Sequence, residues 1–165
     1  MINKEDLNTT VGLLAKRLTS YQYAIRGTAS LVLQGFDMQV GDIDVLTNRQ
    51  TALVCNDLFQ EYLIEEIEYS ESTQFKSYFG KLEIDGVPVE IMGEWQIKNV
   101  KSGWSETFSA KEGEKKEIIV EGQLVWVTTP ETELKAYALM GRWNVFHKLK
   151  KQIIPKREAI QKSLF

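Results

Sequence analysis

The chain has 165 residues, of which 43% are hydrophobic and 26% charged, and its 20 basic and 23 acidic residues give a formal net charge of −3. This balance is ordinary for a soluble globular domain and excludes a disordered or fibrous chain. No run of eighteen apolar residues is present and segment 1–6 lacks the apolar stretch of a signal peptide, so we predict no membrane span and a cytoplasmic location.

Helices alternate with short strands in the first part of the chain. Asn3 and Asn48 are placed to cap two of the helices. The single cysteine, Cys55, lies in an apolar helical pattern, which favours a buried structural thiol over a nucleophile and leaves neither a disulfide nor a zinc site. Apolar spacing predicts helices over 4–18, 28–34 and 49–62, strands over 23–26, 42–46 and 64–69, and a loop over 35–41.

Two hairpins are predicted in the second part of the chain. The turn dipeptides Asp85-Gly86 and Glu121-Gly122 each separate two runs of alternating residues. The residues between the hairpins, 93–111, are predicted to be irregular, with packing anchors at Trp95, Trp104 and Phe108. The predicted hairpin strands are 78–84, 87–92, 117–120 and 124–127.

The last part of the chain is predicted to be helical. Thr129 is placed as a cap and Pro130 in the first turn, which is typical of a helix start. Pro155 lacks the N–H that a helix interior uses, so we predict separate helices before and after it. Residues 1–165 show no repeat or linker and are predicted to form one domain with a basic C-terminal helical segment.

That basic segment concentrates the positive charge of the chain. From Arg142 onward seven basic residues accompany a single acidic one, Glu158, so the rest of the chain is strongly acidic. A basic segment beside an acidic body can meet a triphosphate or an anionic acceptor such as RNA. The alternative is that these side chains line the solvent face of terminal helices and complement the helix dipoles.

A glycine turn precedes the first candidate site. The predicted strand over 23–26 runs into Gly27, whose missing side chain lets backbone N–H groups approach an anion at the positive end of the next helix. Thr28 can add its hydroxyl or N–H, whereas Ser30 either contacts a phosphate or satisfies the helix backbone. Arg26 either neutralises a triphosphate or forms a structural ion pair. We favour phosphate binding at Gly27 and Thr28.

Three acidic residues form the second candidate site. Asp42 and Asp44 alternate with apolar residues, so in a strand they project to one side, roughly 6 to 7 Å apart along the backbone. Their like charges would repel, and Mg²⁺, which prefers carboxylate oxygens and shares its remaining positions with phosphates, would resolve the conflict. The alternative for an isolated pair is a solvated strand face. Glu90 lies mid-strand among apolar neighbours, where an acid is costly unless it is paired or binds metal.

The order of these motifs resembles the nucleotidyltransferase superfamily, in particular its small stand-alone bacterial and archaeal members. The superfamily pattern is Gly-[Gly/Ser/Thr], a short helix, Asp-[apolar]-Asp and a third acid on a later strand, matched here by Gly27-Thr28, Asp42-Ile43-Asp44 and Glu90. The resemblance implies an α/β (α+β) fold, with a small mixed β-sheet flanked by helices. The chain departs from the pattern at Arg26, where many relatives have a second glycine, and at Glu90, where aspartate is frequent.

The resemblance also implies an activity. It implies a metal-dependent nucleotidyltransferase that transfers a nucleoside monophosphate from a nucleoside triphosphate to an acceptor and releases pyrophosphate. The expected catalytic residues, which would also bind Mg²⁺ or Mn²⁺, are Asp42, Asp44 and Glu90. Nucleotide contacts, two of them carried over from a helix of several small relatives, are expected from Gly27, Thr28, Ser30, Lys135 and Arg142.

The sequence leaves the acceptor and the assembly open. The acceptor is a small molecule, a protein or RNA, and compact relatives lack a separate acceptor domain, which leaves room for a homodimer that completes the cleft. The alternative function is a catalytically inactive nucleotide-binding or regulatory module. The retained acids argue against that alternative. Arg26 in place of glycine argues for it, as does the absence at Gln39, Val40 and Gly41 of the basic residue that many relatives have before the first aspartate. An RNA-binding protein that uses the basic C-terminus is a third interpretation.

Overall fold

A computed structural model describes residues 1–163 of the chain. The helices are α1 (Lys4–Arg17), α2 (Gly27–Leu33), α3 (Arg49–Leu58), α4 (Pro130–Met140) and α5 (Trp143–Ser163), with a 3-10 turn at Gln60–Tyr62. The strands are β1 (Tyr23–Arg26), β2 (Ile43–Thr47), β3 (Leu63–Glu71), β4 (Phe75–Ile84), β5 (Val87–Asn99), β6 (Gly103–Trp104), β7 (Lys115–Val120) and β8 (Gln123–Thr128). The predicted α/β (α+β) class is confirmed.

The strands described in residues 1–163 form one mixed sheet in the order β3-β4-β5-β2-β1-β8-β7, with β6 beside β5. Two neighbouring pairs, β2 with β5 and β1 with β8, are parallel, and the remaining pairs are antiparallel. The register places Asp44 opposite Arg26 on one side and opposite Glu90 on the other. Three charged side chains therefore meet at the centre of the sheet.

The two faces of the sheet have different coverings. Ile25, Ile43 and Val45 pack in the main core with apolar residues of α1 and α3. Because side chains alternate along a strand, the intervening positions of β1 and β2 face the opposite side, where Ala24 and Leu46 pack with Ala136 of α4. Arg26 and Asp44 share this second face, so the charged cluster opens towards α4 and not into the main core.

The predicted caps and turns are confirmed. Asn3 accepts a hydrogen bond from the N–H of Asp6 at 2.8 Å, and Asn48 accepts one from that of Thr51 at 2.8 Å. In the β4–β5 hairpin, Asp85 and Gly86 have φ of 48° and 83°, the left-handed pair that a two-residue turn requires. Local sequence chemistry thus fixes the ends of these elements.

Two predictions about local structure are wrong. Residues 93–111 are not wholly irregular, because β5 continues to Asn99 and β6 pairs with it. Nor does Pro155 separate two helices, since α5 runs through it. Pro155 and Lys151 both lie on the exposed side of α5, where water can satisfy the carbonyl that proline leaves without a donor. The break between helices is instead at Gly141, which has φ of 71° and caps α4.

The structure also describes Cys55, the basic C-terminal segment and the lengths of the helices. Cys55 is fully buried, and burial raises the pKa of its thiol to about 12, so it is the structural thiol that the sequence favours. In the basic segment, Arg157 pairs with Glu131 at 2.6 Å and the Lys156 ammonium lies 4.9 Å from the centre of the Phe36 ring. In residues 1–163 no helix combines the length and apolarity needed to cross a membrane.

Candidate active site

Three carboxylates converge where β2 and β5 lie side by side. Asp42 immediately precedes β2, Asp44 lies within it, and Glu90 lies opposite Asp44 on β5. One oxygen from each side chain lies within 4.8 Å of the other two, and all three residues are half-buried. The structure therefore brings together the three acids that the sequence singled out. Carboxylate oxygens at this spacing suit a hard divalent cation such as Mg²⁺ or Mn²⁺.

The two oxygens of Asp44 have different environments. Oδ2 accepts a hydrogen bond from Arg26 Nη1 at 3.1 Å, whereas Oδ1 is buried without a hydrogen-bond partner. A buried carboxylate oxygen with no partner is costly, and a bound cation would satisfy it. The donor set therefore fits a divalent metal on two observations, the clustered oxygens and this unpartnered atom.

The electrostatic environment of Asp44 disfavours its charged form. Burial raises the pKa of its carboxyl to about 7, and the neighbouring charges of Asp42 and Glu90 act in the same direction. The Arg26 guanidinium opposes this shift without cancelling it. Positive charge placed beside Asp42 and Glu90 would favour the ionised carboxylate of Asp44.

Arg26 links the carboxylate cluster to α4. Its Nη2 donates to Glu133 Oε1 at 3.0 Å, and its guanidinium lies 4.3 Å from the centre of the Trp95 ring. Glu133 also accepts a 2.7 Å hydrogen bond from Thr128. Of the two roles left open for Arg26, the structure contains the ion pair. The sequence analysis missed Glu133, because an acid in the first turn of a helix is ordinarily a surface residue that complements the dipole.

Gly27 begins α2 directly beside the cluster. It has φ of 69°, and a Cβ atom added to it would lie 3.1 Å from Asp44 Oδ2. A larger residue would be strained in this backbone conformation and would press on the carboxylate. Thr28 follows it and is partly exposed. These positions suit the predicted contacts with phosphate, which stay a prediction.

The other three predicted nucleotide contacts, Ser30, Lys135 and Arg142, lie in different parts of the structure. Ser30 is fully buried, and its hydroxyl bonds the carbonyl oxygen of Thr128 at 3.1 Å, so it faces the interior. Lys135 is exposed and pairs with Glu106, outside the pocket. Arg142, at the start of α5, lines the pocket beside the carboxylates. Of the predicted contacts, the structure places only Arg142 among the lining residues.

The carboxylates line a cavity of about 300 Å³. Polar and apolar residues share its lining, and the sequence analysis did not assign the five apolar ones to the site. Residues 75, 77 and 79 alternate on β4 and so share one face, a period-2 signal that could have identified them. The lining residues are Arg26, Asp42, Asp44, Phe75, Ser77, Phe79, Glu90, Met92, Trp95, Met140 and Arg142.

Comparisons with known proteins agree on the family of this fold. The family model of the aminoglycoside-2''-adenylyltransferases matches residues 12–153. A Thermotoga maritima protein assigned as a nucleotidyltransferase aligns with a TM-score of 0.74 and 28% identity, over 94% of this chain and 96% of that protein. A search of curated protein sequences gave no significant match.

Two antibiotic-modifying enzymes share the fold. The crystal structure of ANT(2'')-Ia in complex with adenylyl-2''-tobramycin aligns with a TM-score of 0.58 and 13% identity, over 97% of each chain. The lincosamide antibiotic adenylyltransferase LnuA, with lincomycin bound, aligns with a TM-score of 0.51 and 14% identity, over 90% of this chain and 97% of its own. At these identities the likeness concerns the fold alone.

Proposed function

The chain belongs to the aminoglycoside-2''-adenylyltransferase family, and from this premise we propose that it transfers the adenylyl group of ATP to a hydroxyl of a small-molecule acceptor. The superfamily predicted from the sequence is thereby confirmed, and the chain is a nucleotidyltransferase. The choice of ATP, the dependence on metal and the class of acceptor are proposals.

One observation carries the metal-dependent part of the proposal. It is the convergence of Asp42, Asp44 and Glu90 around oxygens within 4.8 Å of one another, one of which is buried without a partner. In a purely structural role, clustered acids would need basic partners for each carboxylate. Arg26 contacts only one oxygen of one of them. The other oxygens are therefore available to a cation.

We assign a role in the transfer to each of the three acidic residues. We assign to Asp42 and Asp44 the binding of Mg²⁺ or Mn²⁺, which when bound would neutralise charge on the triphosphate and the departing pyrophosphate. Glu90 would contribute to the same metal centre, orient the acceptor hydroxyl and accept its proton. The acceptor oxygen then bonds to the α-phosphorus, the bond from that phosphorus to the β-phosphate oxygen breaks, and pyrophosphate leaves.

Phosphate binding is assigned to the start of α2. Gly27 lies next to Asp44 and Thr28 follows it in the chain, which supports the placement of both against the triphosphate. Arg142 lines the cavity that Asp44 also lines, where its guanidinium can bind an anionic or polar group of a substrate. Ser30 and Lys135 are occupied by Thr128 and Glu106, so we assign them no contact with the nucleotide.

Nucleotide binding followed by group transfer tests the proposal. Calorimetry should detect ATP binding that requires Mg²⁺, and the double variant Asp42→Asn/Asp44→Asn should abolish it. The matched control Asp57→Asn/Glu68→Gln removes two exposed charges away from the cavity and should bind like the wild type. Incubation with α-labelled ATP and mixed small molecules should label a product with the wild type and with this control, but not with Asp42→Asn/Asp44→Asn. Metal-independent binding, or equal binding by the double variant, would contradict the proposal.

A further inference from the structure

Most residues that line the cavity beside the carboxylates belong to β4 and β5, whereas β1 contributes Arg26. Gly27 and Thr28 follow β1, which borders β2 on one side, whereas β5 and then β4 border β2 on the other. If the phosphates lie against Gly27 and Thr28, as the proposed function has it, the β4–β5 side remains for the acceptor. The inference below rests on that proposed function.

The β4–β5 side of the cavity carries apolar side chains beside Ser77 and Glu90. We use the name acceptor wall for the side chains of Phe75, Phe79, Met92, Trp95 and Met140. Phe79 and Met92 are cross-strand partners, and the Phe75 and Trp95 rings lie 5.8 Å apart. Trp95 and Met92 are buried apart from 5% and 6% of their surfaces, which fixes the shape of the wall. A flat apolar group packs well on such a surface.

The acceptor wall offers nothing to a cationic acceptor. Among the lining residues within 1–163, the only acids are the three proposed to bind metal. The aromatic faces could attract ammonium groups, but they already lie near cations. Arg26 lies 4.3 Å from the Trp95 ring centre and the Lys81 ammonium 6.0 Å from that of Phe79. A further cation there would meet like charge, and the carboxylates among the described lining residues are those proposed to bind metal.

The remaining charged side chain near the acceptor wall, that of Arg142, is a cation. Arg142 lines the cavity, and Met140, two residues before it, belongs to the acceptor wall. Its guanidinium is suited to a carboxylate or phosphate, or to neutral hydroxyl groups. We propose that the acceptor is a hydroxyl compound without cationic groups, which packs a flat apolar moiety on the acceptor wall and turns a neutral or anionic substituent towards Arg142.

Four probes of graded chemistry test this acceptor class. They are p-nitrophenyl β-D-glucuronide, p-nitrophenyl β-D-glucoside, glucose and the polycation tobramycin, titrated by calorimetry in Mg²⁺ with and without a non-hydrolysable ATP analogue. We expect the aryl glycosides to bind at least about fivefold more tightly than glucose, because stacking adds to affinity. The glucuronide should exceed the glucoside, and tobramycin should bind most weakly.

Variants of the wall identify what contacts the aryl group. Phe79→Ala should remove the advantage of the aryl glycosides over glucose and leave the affinity for ATP unchanged. Phe79→Leu, which keeps an apolar side chain, should retain part of the advantage and guards against misfolding of the alanine variant. Tyr69→Ala is the control, since Tyr69 lies on β3, is 51% exposed and does not line the cavity.

The outcomes separate this inference from the proposed function. Tighter binding of tobramycin than of the glycosides, or no binding of any aryl glycoside, would overturn the acceptor class while ATP still binds with Mg²⁺. Loss of ATP affinity in Phe79→Ala with glycoside binding unchanged would show that the wall holds the nucleobase and would also overturn it. Failure of wild type to bind ATP would overturn the proposed function itself.

Discussion

Arg26 Nη1 lies 3.1 Å from Asp44 Oδ2, so one oxygen of this carboxylate is paired while the other is buried and without a partner. The same guanidinium bonds Glu133 at 3.0 Å, which makes it the link between β2 and α4. A divalent cation at Asp44 Oδ1 would add to this arrangement and need not displace Arg26. The ion pair is therefore compatible with the proposed metal binding.

The first prediction concerns the stability that Arg26 provides. Arg26→Met should lower the free energy of unfolding by about 3 to 5 kcal/mol, because it leaves buried Glu133 without its charged partner. Arg26→Met/Glu133→Gln should recover part of this loss. Urea unfolding measures both. Arg157→Met, which breaks an exposed pair with Glu131, should cost at most about 1 kcal/mol. Equal losses at the two arginines would contradict a buried linking role for Arg26.

The second prediction concerns ligand-dependent stability. Asp42→Asn should leave the apo protein as stable as wild type or more stable, because it removes one of several clustered like charges. In wild type, ATP with Mg²⁺ at a hundredfold excess over its dissociation constant should add about 2.7 kcal/mol to the free energy of unfolding, seen as a rise in Tm. The variant should lose this rise. An equal rise in variant and wild type would place the nucleotide elsewhere.

The third prediction concerns pH. Burial raises the pKa of Asp44 to about 7 from an ordinary value of 3.8, so between these values the folded state holds a proton that the unfolded state has lost. Folding stability from this group therefore falls as pH rises from about 4 to about 7 and is constant above. Asp44→Asn should lack this fall in urea unfolding, and parallel curves for the two proteins would contradict the raised pKa.

The fourth prediction follows from the same carboxyl. Metal binding requires the ionised form, so at pH 6 the cation must displace a proton that is largely absent at pH 8. Affinity for Mn²⁺, measured by electron paramagnetic resonance, should be about tenfold weaker at pH 6 than at pH 8 for a pKa near 7. A flat profile across this range would contradict metal binding through a carboxyl with this raised pKa.

The fifth prediction separates chemistry from binding. Glu90→Gln keeps the shape of the side chain and removes its charge and its capacity to accept a proton. We expect turnover to fall by about 10² to 10⁴ while ATP affinity changes little, because Glu90 is assigned to the acceptor side of the reaction. Pyrophosphate release and calorimetry give the two quantities. Glu83→Gln, on an exposed position of β4, is the matched control. Unchanged turnover would remove Glu90 from the catalytic residues.

A structural feature can be predicted from the sequence when the residues that determine it lie close together along the chain. Alternation within one strand is local, and it places Asp42 and Asp44 on one side without knowledge of the fold. The turn at Asp85-Gly86 fixes the β4–β5 register, and that in turn fixes the position of Glu90 along β5. The meeting of Glu90 with Asp44 was expected from the resemblance, because parallel pairing of two distant strands is not readable from local pattern.

The features that the sequence analysis missed depend on long-range packing. The Arg26–Glu133 pair joins residues 107 positions apart and requires both the β1–β8 pairing and the docking of α4. The acceptor wall combines two strands with Met140 at a helix end, so no single periodicity identifies it. The prediction at Pro155 came from a local rule and was wrong. Proline was expected to end the helix, but α5 continues because the carbonyl left without a donor lies on its exposed face.

Anomalous diffraction from crystals grown with Mn²⁺ and a non-hydrolysable ATP analogue tests the central claim most directly. The account predicts manganese bound by carboxylate oxygens of Asp42, Asp44 and Glu90, with a second ion about 3.5 to 4 Å away if two metals act. The triphosphate should contact Gly27 and Thr28 while Arg26 stays paired with Asp44. Nucleotide bound elsewhere, or bound at Gly27 with no manganese at the three carboxylates, would contradict the account.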